Sequence, residues 1–318
     1  MVKRVVHVAV GVVVDPEGKV LIALRPEQAH QGGLWEFPGG KCEPGEPVEV
    51  ALARELREEV GITVLRQRPF CLIRHDYGDK DVLLDVWKVD AFTGTAIGKE
   101  GQPIRWAEIP TLDPVLFPAA NRAIIRRLQL PDTIAITGEA DCEDDFLDRF
   151  QRLLDASPGM IQLRAPQLDP QSYLTRAQRC LQLCRTRGVR LLLNTEPAVA
   201  DQLRADGLHV NARSLLSLAH RPVADDRLFS ASCHTPDELS HAQMLGADFV
   251  FLSPVQRTAS HPEQPALGWQ AFAVMARRVS VPVYALGGLG GEDLAVAREH
   301  GAAGVAAISA WWPANRSR

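Results

Sequence analysis

Apolar and polar positions along the first 130 or so residues alternate between two periods, as expected where strands and helices share one layer-built domain. Val5 to Val14 is an almost unbroken apolar run ending at the turn Asp15-Pro16-Glu17-Gly18, and Lys19 to Arg25 is apolar again. Two β-rich runs around such a turn predict a hairpin. From Pro47 to Val60 the period changes. Val48, Ala51, Leu52, Leu56 and Val60 recur at three- and four-residue steps, which predicts a helix with one apolar stripe. Pro47 is tolerated in the first turn, and Gly61 sits where a helix C′ glycine belongs. Strand-like runs follow at Thr63 to His75, Val82 to Phe92 and Ile104 to Ile109. Phe117-Pro118-Ala119-Ala120-Asn121 then opens a helix ending near Leu128.

Beyond Pro131 the pattern becomes a repeated strand-then-helix alternation. Strand-like runs fall at Ile134–Thr137, Met160–Arg164, Arg190–Asn194, Gly207–Val210, Leu228–Ser232, Asp248–Ser253, Val281–Leu286 and Gly304–Ser309, with helical stretches between most of them. Eight such units predict a small (β/α)8 TIM barrel. The expected fold class is therefore α/β throughout: one domain over residues 1–130, then a barrel over 132–318, with no long linker between.

Composition narrows the class without naming a function. The chain has 318 residues, 46% apolar and 23% charged, with a formal net charge of −4, so nothing in its balance favours a nucleic-acid backbone as partner. Its six cysteines form no CxxC pair, and Cys180 and Cys184 stand one helical turn apart, which suits thiols in a reducing compartment. Lys3 and Arg4 precede the first apolar run, yet that run contains His7 and lacks a small-residue cleavage site, so it reads as a strand rather than a signal peptide. No stretch approaches a membrane span, and the expected location is the cytoplasm.

The candidate chemistry lies on the helix after Pro47. Glu55, Glu58 and Glu59 are spaced i, i+3, i+4 and so share one face, where three carboxylates repel one another. A hard divalent cation resolves that conflict, because Mg²⁺ takes carboxylate oxygens together with substrate phosphates. The bland alternative is a solvated acidic face paired with Arg54 and Arg57. More positions than these are in register, however. Gly40 is followed after five residues by Glu46, and seven more lead to Arg54-Glu55-Leu56, then Glu58, Glu59, Gly61 and Ile62. This pattern matches the signature of the Nudix hydrolases at each defining position. The segment from His7 to Leu128 further resembles the MutT branch, through EFPGGK, GKEGQP and FPAAN in order.

The resemblance implies a Nudix α/β/α sandwich that hydrolyses 8-oxo-dGTP to 8-oxo-dGMP and pyrophosphate by attack at the β-phosphorus, a role in nucleotide-pool sanitation and DNA repair. It implies Mg²⁺, with Mn²⁺ as a substitute, held by Glu55, Glu58, Glu59, Glu100 and the main chain of Gly40. Arg54 would orient the acidic side chains, and Glu100 would serve as a further metal ligand or a base. Arg25, Phe37 and Asn121 fall on nucleotide-binding positions of that branch. An Asn amide carries donor and acceptor side by side, which suits a purine edge. The alternatives are that Asn121 caps its own helix and that Phe37 belongs to the core.

The second half resembles the thiamine-phosphate synthase and TenI (thiazole tautomerase) family. The resembling pieces are Ile161-Gln162-Leu163-Arg164, Ala205-Asp206-Gly207-Leu208-His209, Ser232-Cys233-His234-Thr235, Gly246-Ala247-Asp248, Ala285-Leu286-Gly287-Gly288-Leu289 and Ile308-Ser309-Ala310. Gln162, Arg164, Asn194, His234, Gly287, Gly288 and Ser309 are the candidate site, the glycine pair and Ser309 forming a phosphate grip. Against a synthase, Pro166 stands where that activity needs a diphosphate-holding lysine, while Thr195 and Ser214 replace its two metal carboxylates. Those departures turn the expectation toward a tautomerase with His234 as acid/base, or toward a module that binds a thiazole phosphate without turning it over; His209 reads as structural. The fusion also raises a second substrate class for the first half, a diphosphate of the thiamine pathway. The expected partners are a small-molecule nucleotide and a thiazole phosphate, with no nucleic acid or membrane, and with any oligomer forming through the barrel.

Overall fold

In the computed structural model, residues 5–76, 81–156, 158–224, 226–258 and 265–312 are described. The chain divides into two compact units, residues 1–129 and 130–318.

The first unit runs β1 (Val5–Val13), β2 (Val20–Leu24), β3 (Trp35–Glu36), β4 (Gly39–Lys41), α1 (Val48–Glu59), β5 (Thr63–Asp76), β6 (Asp81–Thr93), β7 (Ile104–Ala107) and α2 (Ala119–Leu128). Its strands form a mixed sheet of order β4-β1-β6-β5 and a smaller sheet of order β3-β2-β7. The hairpin expected around Asp15–Gly18 does not form as a ladder. β1 gives one edge to β4 and the other to β6, in parallel register from Val5 opposite Asp81 to Val13 opposite Val89. With both edges taken, the chain leaves the turn for the second sheet, and a single bridge, Val14 to Val20, is what remains of the pairing. The last strand is also shorter than expected. It stops at Ala107, and Ile109–Thr111 closes as a 3₁₀ turn with Pro110 early in it, where a strand would lose a ladder donor.

β1 is apolar throughout because both its faces are covered. Ala9 and Val13 pack with Leu52, Leu56 and Val60 of the α1 segment, while Val10 and Val12 pack with Ile22, Phe117, Ile124 and Ile125 on the α2 side. A Cβ at Gly11 would lie 3.2 Å from both Leu56 methyl groups, so a side chain there would make Leu56 give by a few tenths of an ångström. Full burial of Leu52 and Leu56 stabilises this seat by about 2–3 kcal/mol each. The acidic face of α1 is thereby held toward β4.

The second unit is a closed barrel of eight parallel strands: β8 (Thr133–Ile136), β9 (Met160–Leu163), β10 (Arg190–Asn194), β11 (Gly207–Val210), β12 (Leu228–Cys233), β13 (Phe249–Leu252), β14 (Val283–Leu286) and β15 (Gly304–Ala307). Each runs beside the next, and β15 closes onto β8. Seven α-helices are described between them, α3 (Glu143–Asp155), α4 (Pro170–Arg187), α5 (Pro197–Leu203), α6 (Ala212–Ser217), α7 (Pro236–Met244), α8 (Gly268–Ala276) and α9 (Leu294–Glu299). Their starts carry local signals. Asp169 accepts from the N–H groups of Gln171 and Ser172, and Thr235 with Glu238 forms a reciprocal capping box. Ile134, Ile136, Met160, Leu192, Phe249, Phe251 and Tyr284 fill the barrel, which is a packed core and not a pore. Among the described residues no helix is long and apolar enough to cross a membrane.

Candidate functional site

The first site is built where α1 faces the glycine strand. Gly39 has φ +147, and a Cβ on it would lie 2.2 Å from the Ala9 carbonyl oxygen; a Cβ on Gly40 would lie 2.2 Å from the Glu55 carboxylate. Only bare backbone lets β4 come this close to the helix. The Gly39 N–H donates to Glu59 Oε2 at 2.9 Å, which fixes that carboxylate against the strand.

Arg54 organises the remaining acids. Its Nε and Nη2 donate to the two oxygens of Glu46, each at 3.0 Å, while Nη1 reaches Glu55 at 2.9 Å and Glu58 at 3.3 Å. Nη2 also donates to the Lys41 carbonyl. One guanidinium thus ties the loop after β4 to two of the three helix carboxylates. Glu46 is accordingly the helix's counterpart in the loop, a part its place in the motif did not reveal.

Glu100 comes from the loop before β7, pinned to the end of α1. The Lys99 N–H and the Gln102 side-chain amide both donate to the Glu59 carbonyl, at 3.0 and 3.1 Å, and Gln102 Oε1 accepts from the Glu100 N–H. These bonds satisfy an orphan carbonyl of the helix C-terminus and bring the Glu100 charge near Glu59. Burial raises the Glu59 pKa to about 7; the Gly39 N–H opposes the rise, and the negative charges of Glu36, Glu100 and Glu55 add to it. Glu36 is itself raised by burial, against the pull of Arg25.

This donor set, carboxylate and carbonyl oxygens crowded enough to hold one acid near neutrality, fits a hard divalent cation. Among the described residues no three acidic, His or Cys side chains converge as they stand. The reason is visible: Glu55 and Glu58 are turned onto Arg54, and Glu59 onto Gly39. Glu55, Glu58 and Glu59 with the Gly40 carbonyl could hold the ion once those side chains rotate.

Beside the acids opens a cleft of about 340 Å³, whose lining includes Gly39, Gly40, Arg25, Gln31, Glu36 and Asn121. Arg25 pairs with Glu36 and donates to the His30 carbonyl. Asn121 is the third residue of α2, whose N-cap is Pro118, so it does not cap its helix. It is 8% exposed, and its Oδ1 accepts from the Phe37 N–H at 3.4 Å. The Phe37 ring is 3% exposed and packs on Phe117 with centroids 5.8 Å apart, so it reaches the cleft as one edge of a core residue. Nothing in the sequence pattern singles out Gln31, or Glu36 as a half-buried acid, while Gln102 lies inside the GKEGQP motif.

In the barrel, Arg164, Asn194, His234, Gly287, Gly288 and Ser309 stand at or just beyond the C-terminal ends of their strands. Gln162 is the next-to-last residue of β9, 3% exposed, its Oε1 without a partner among the described residues. Asn194 Nδ2 donates to the His209 carbonyl, and the Arg164 backbone exchanges hydrogen bonds with Thr137 Oγ1. His234 Nδ1 lies 2.8 Å from the Ser253 carbonyl. A carbonyl only accepts, so Nδ1 carries a proton, and in the neutral ring the lone pair is on Nε2. At Gly287 and Gly288, φ is +105 and +68, and a Cβ would strike Pro254 or the Arg257 carbonyl oxygen within 3 Å. His209 is 1% exposed and lies between Ser230 and Ser232 hydroxyls at 2.8 Å, stacked on Phe251; burial lowers its pKa to about 3. A second cleft of about 340 Å³ lies by the ends of β10 and β11, lined by Thr195, Glu196, Arg213 and Ser214 among others.

Comparison with known proteins agrees with both halves. A family model described as NUDIX domain matches residues 9–127, and one described as thiamine monophosphate synthase matches residues 133–311. The 8-oxo-dGTP diphosphatase of Escherichia coli is 38% identical over 123 residues, 39% of this chain and 95% of that protein. The CTP pyrophosphohydrolase of the same organism is 40% identical over 97 residues, 30% of this chain and 72% of that protein. A protein of Aquifex aeolicus, provisionally named a second thiamine-phosphate synthase, is 31% identical over 182 residues, 57% of this chain and 98% of that protein. The chain thus belongs through its first unit to the Nudix hydrolases, enzymes that act on phosphorus-containing anhydrides, and through its second to the thiamine monophosphate synthase/TenI family.

Proposed function

We propose that the first unit is an Mg²⁺-dependent diphosphatase that converts 8-oxo-dGTP to 8-oxo-dGMP and pyrophosphate. The observation that carries this reading is that one cleft joins the glycine strand beside the acids to Asn121. A triphosphate laid toward Gly40 and the acids of α1 would leave its base toward Asn121, along the apolar wall of Val8, Val10 and Leu84. With Oδ1 engaged by the Phe37 N–H, the Asn121 Nδ2 donors are left for a carbonyl on the base. A site that hydrogen-bonds its ligand discriminates strongly, since a wrong base leaves buried polar groups unpaired. Arg54 orients Glu55 and Glu58, and Gly39 orients Glu59. A divalent cation held by these acids supplies neutralisation of phosphate charge and a more acidic water.

The test is pyrophosphate release by the purified protein with Mg²⁺ on 8-oxo-dGTP, dGTP, CTP and a hydroxymethylpyrimidine diphosphate, with Glu55→Gln as the blank. A preference for 8-oxo-dGTP that Glu55→Gln abolishes supports the proposal; a preference for the pyrimidine diphosphate replaces it with a thiamine-pathway substrate.

For the barrel, a tautomerase acting on a thiazole phosphate is the reading that the fixed His234 tautomer favours, with Nε2 as the proton acceptor. In the second cleft Thr195 and Ser214 stand where the synthase resemblance calls for two acidic metal ligands, with Glu196 as the acid among the lining residues. His234→Ala should abolish isomerisation of the thiazole phosphate while its binding persists; binding without turnover by the unaltered protein would make the barrel a sensor.

A further inference from the structure

The loop between β2 and β3 carries a residue that the mechanism above does not use. Arg25 ties this loop down, donating through Nε and Nη2 to the His30 carbonyl at 3.2 and 2.9 Å and pairing with Glu36. Within it the Ala29 N–H donates to the Pro26 carbonyl, and the Gly32 N–H to the Ala29 carbonyl. A Cβ on Gly32 would lie 2.4 Å from the Glu27 carbonyl oxygen, so the loop backbone folds tightly on itself there. Between them Gln31 adopts φ +58, one of two non-glycine residues with positive φ among those described. Gln31 lines the cleft, and its Oε1 is enclosed with no donor reaching it from any described residue.

Left-handed backbone and an enclosed, unpaired acceptor each cost free energy, and here both fall on one residue at the wall of a binding cleft. Such strain persists where surrounding contacts over-determine it and clusters at ligand sites. We propose that Gln31 is a specificity-determining residue whose side-chain carbonyl, after a rotamer change, accepts a hydrogen bond from an N–H on the bound base. The inference rests on reading this cleft as a nucleoside site. An acceptor rewards a donor and penalises a lone pair. The ring nitrogen N7 of an ordinary purine presents a lone pair, whereas a purine carrying a keto oxygen at C8 presents N7–H. Gln31 would therefore favour the oxidised ring by gaining a bond with it and by meeting repulsion without it. Rotamer changes of this kind are common at binding surfaces.

The experiment is steady-state kinetics of the full chain with Mg²⁺ on 8-oxo-dGTP, dGTP, 8-oxo-GTP and CTP. Gln31→Met keeps the length and removes the acceptor; Gln31→Glu keeps an acceptor. The expected result is a roughly tenfold fall in the kcat/KM ratio of 8-oxo-dGTP to dGTP for Gln31→Met, through KM with kcat nearly unchanged, as loss of one ligand hydrogen bond predicts. Gln31→Glu should return the ratio toward its starting value. A ratio unchanged in Gln31→Met overturns the inference while leaving the proposed function standing. A loss confined to 8-oxo-GTP also overturns it, because the donor would then be the ribose hydroxyl. If the unaltered protein prefers a nucleotide other than 8-oxo-dGTP, the proposed function falls alone provided Gln31→Met raises KM for that nucleotide selectively. Inactivity on all four removes both.

Discussion

Replacing Glu59 by Gln should stabilise the metal-free first unit at neutral pH while destroying its activity. Burial, with Glu36, Glu100 and Glu55 nearby, raises the Glu59 pKa from 4.5 to about 7. The folded state therefore holds a proton that the unfolded state has already released between those values. Stability then falls as pH rises from about 4.5 to 7 and levels off above, because the native form binds more protons throughout that window. At 1.36 kcal/mol per pH unit the full effect is about 3 kcal/mol, and the step belongs to the acid cluster as a whole rather than to one side chain. Gln is neutral at every pH and keeps an oxygen for the Gly39 N–H, so it removes the penalty without breaking that bond.

For a domain of this size about 3 kcal/mol corresponds to roughly 10 °C in Tm. The assay is calorimetry of the full chain in EDTA from pH 5 to 8, comparing parent and variant at each pH. The unaltered first unit should lose stability toward pH 7, Glu59→Gln should lose much less, and the variant should melt well above its parent at pH 7.5. Adding Mg²⁺ should raise the parent more than the variant. A Glu59→Gln protein that melts at or below its parent at pH 7.5 in EDTA would refute the reasoning, since the carboxylate would then be stabilising where it stands.

Other outcomes follow from the same geometry. Arg54→Lys keeps the charge and loses the planar fork that grips Glu46 while reaching Glu55, so kcat on the preferred nucleotide should fall by about 10- to 100-fold with little change in KM. Asn121→Ala strands the buried Phe37 N–H, and chemical denaturation should show a loss of about 1–2 kcal/mol alongside a reduced preference for the oxidised purine. His209, with its pKa lowered to about 3, favours the folded barrel fully above pH 6.5 and progressively less as pH falls. Circular dichroism melts should therefore show the barrel losing about 3 kcal/mol by pH 4, and His209→Gln should flatten that dependence.

What was legible beforehand follows from how local each signal is. The helix at Val48–Glu59 was readable because its apolar stripe has a period that the next turn repeats. The barrel strands were readable because each is a short apolar run followed by a helix whose start carries its own cap. The pairing of β1 was not, since its parallel partner begins at Asp81, far along the chain, and nothing near Asp15 announces that both edges are spoken for. Gln162 illustrates a finer limit. Its motif marks the strand, whereas the enclosure of its Oε1 without a partner among the described residues depends on neighbouring strands distant in sequence.

The acidic site shows why spacing identified the carboxylates and missed their state. The i, i+3, i+4 arrangement is a property of the helix alone, so Glu55, Glu58 and Glu59 had to share a face. Whether they repel, pair or bind an ion depends on what the neighbouring loops present, and here those loops divide the face. Arg54 draws Glu55 and Glu58 toward Glu46, and the Gly39 N–H draws Glu59 the other way. The five residues from Gly40 to Glu46 and the seven from Glu46 to Arg54 let one guanidinium span the loop and the helix while bare backbone passes Glu55. That clamp holds Glu55 and Glu58 to one side and Glu59 to the other. The motif's intervals are thus the dimensions of a clamp that divides three like charges between one guanidinium and one backbone N–H.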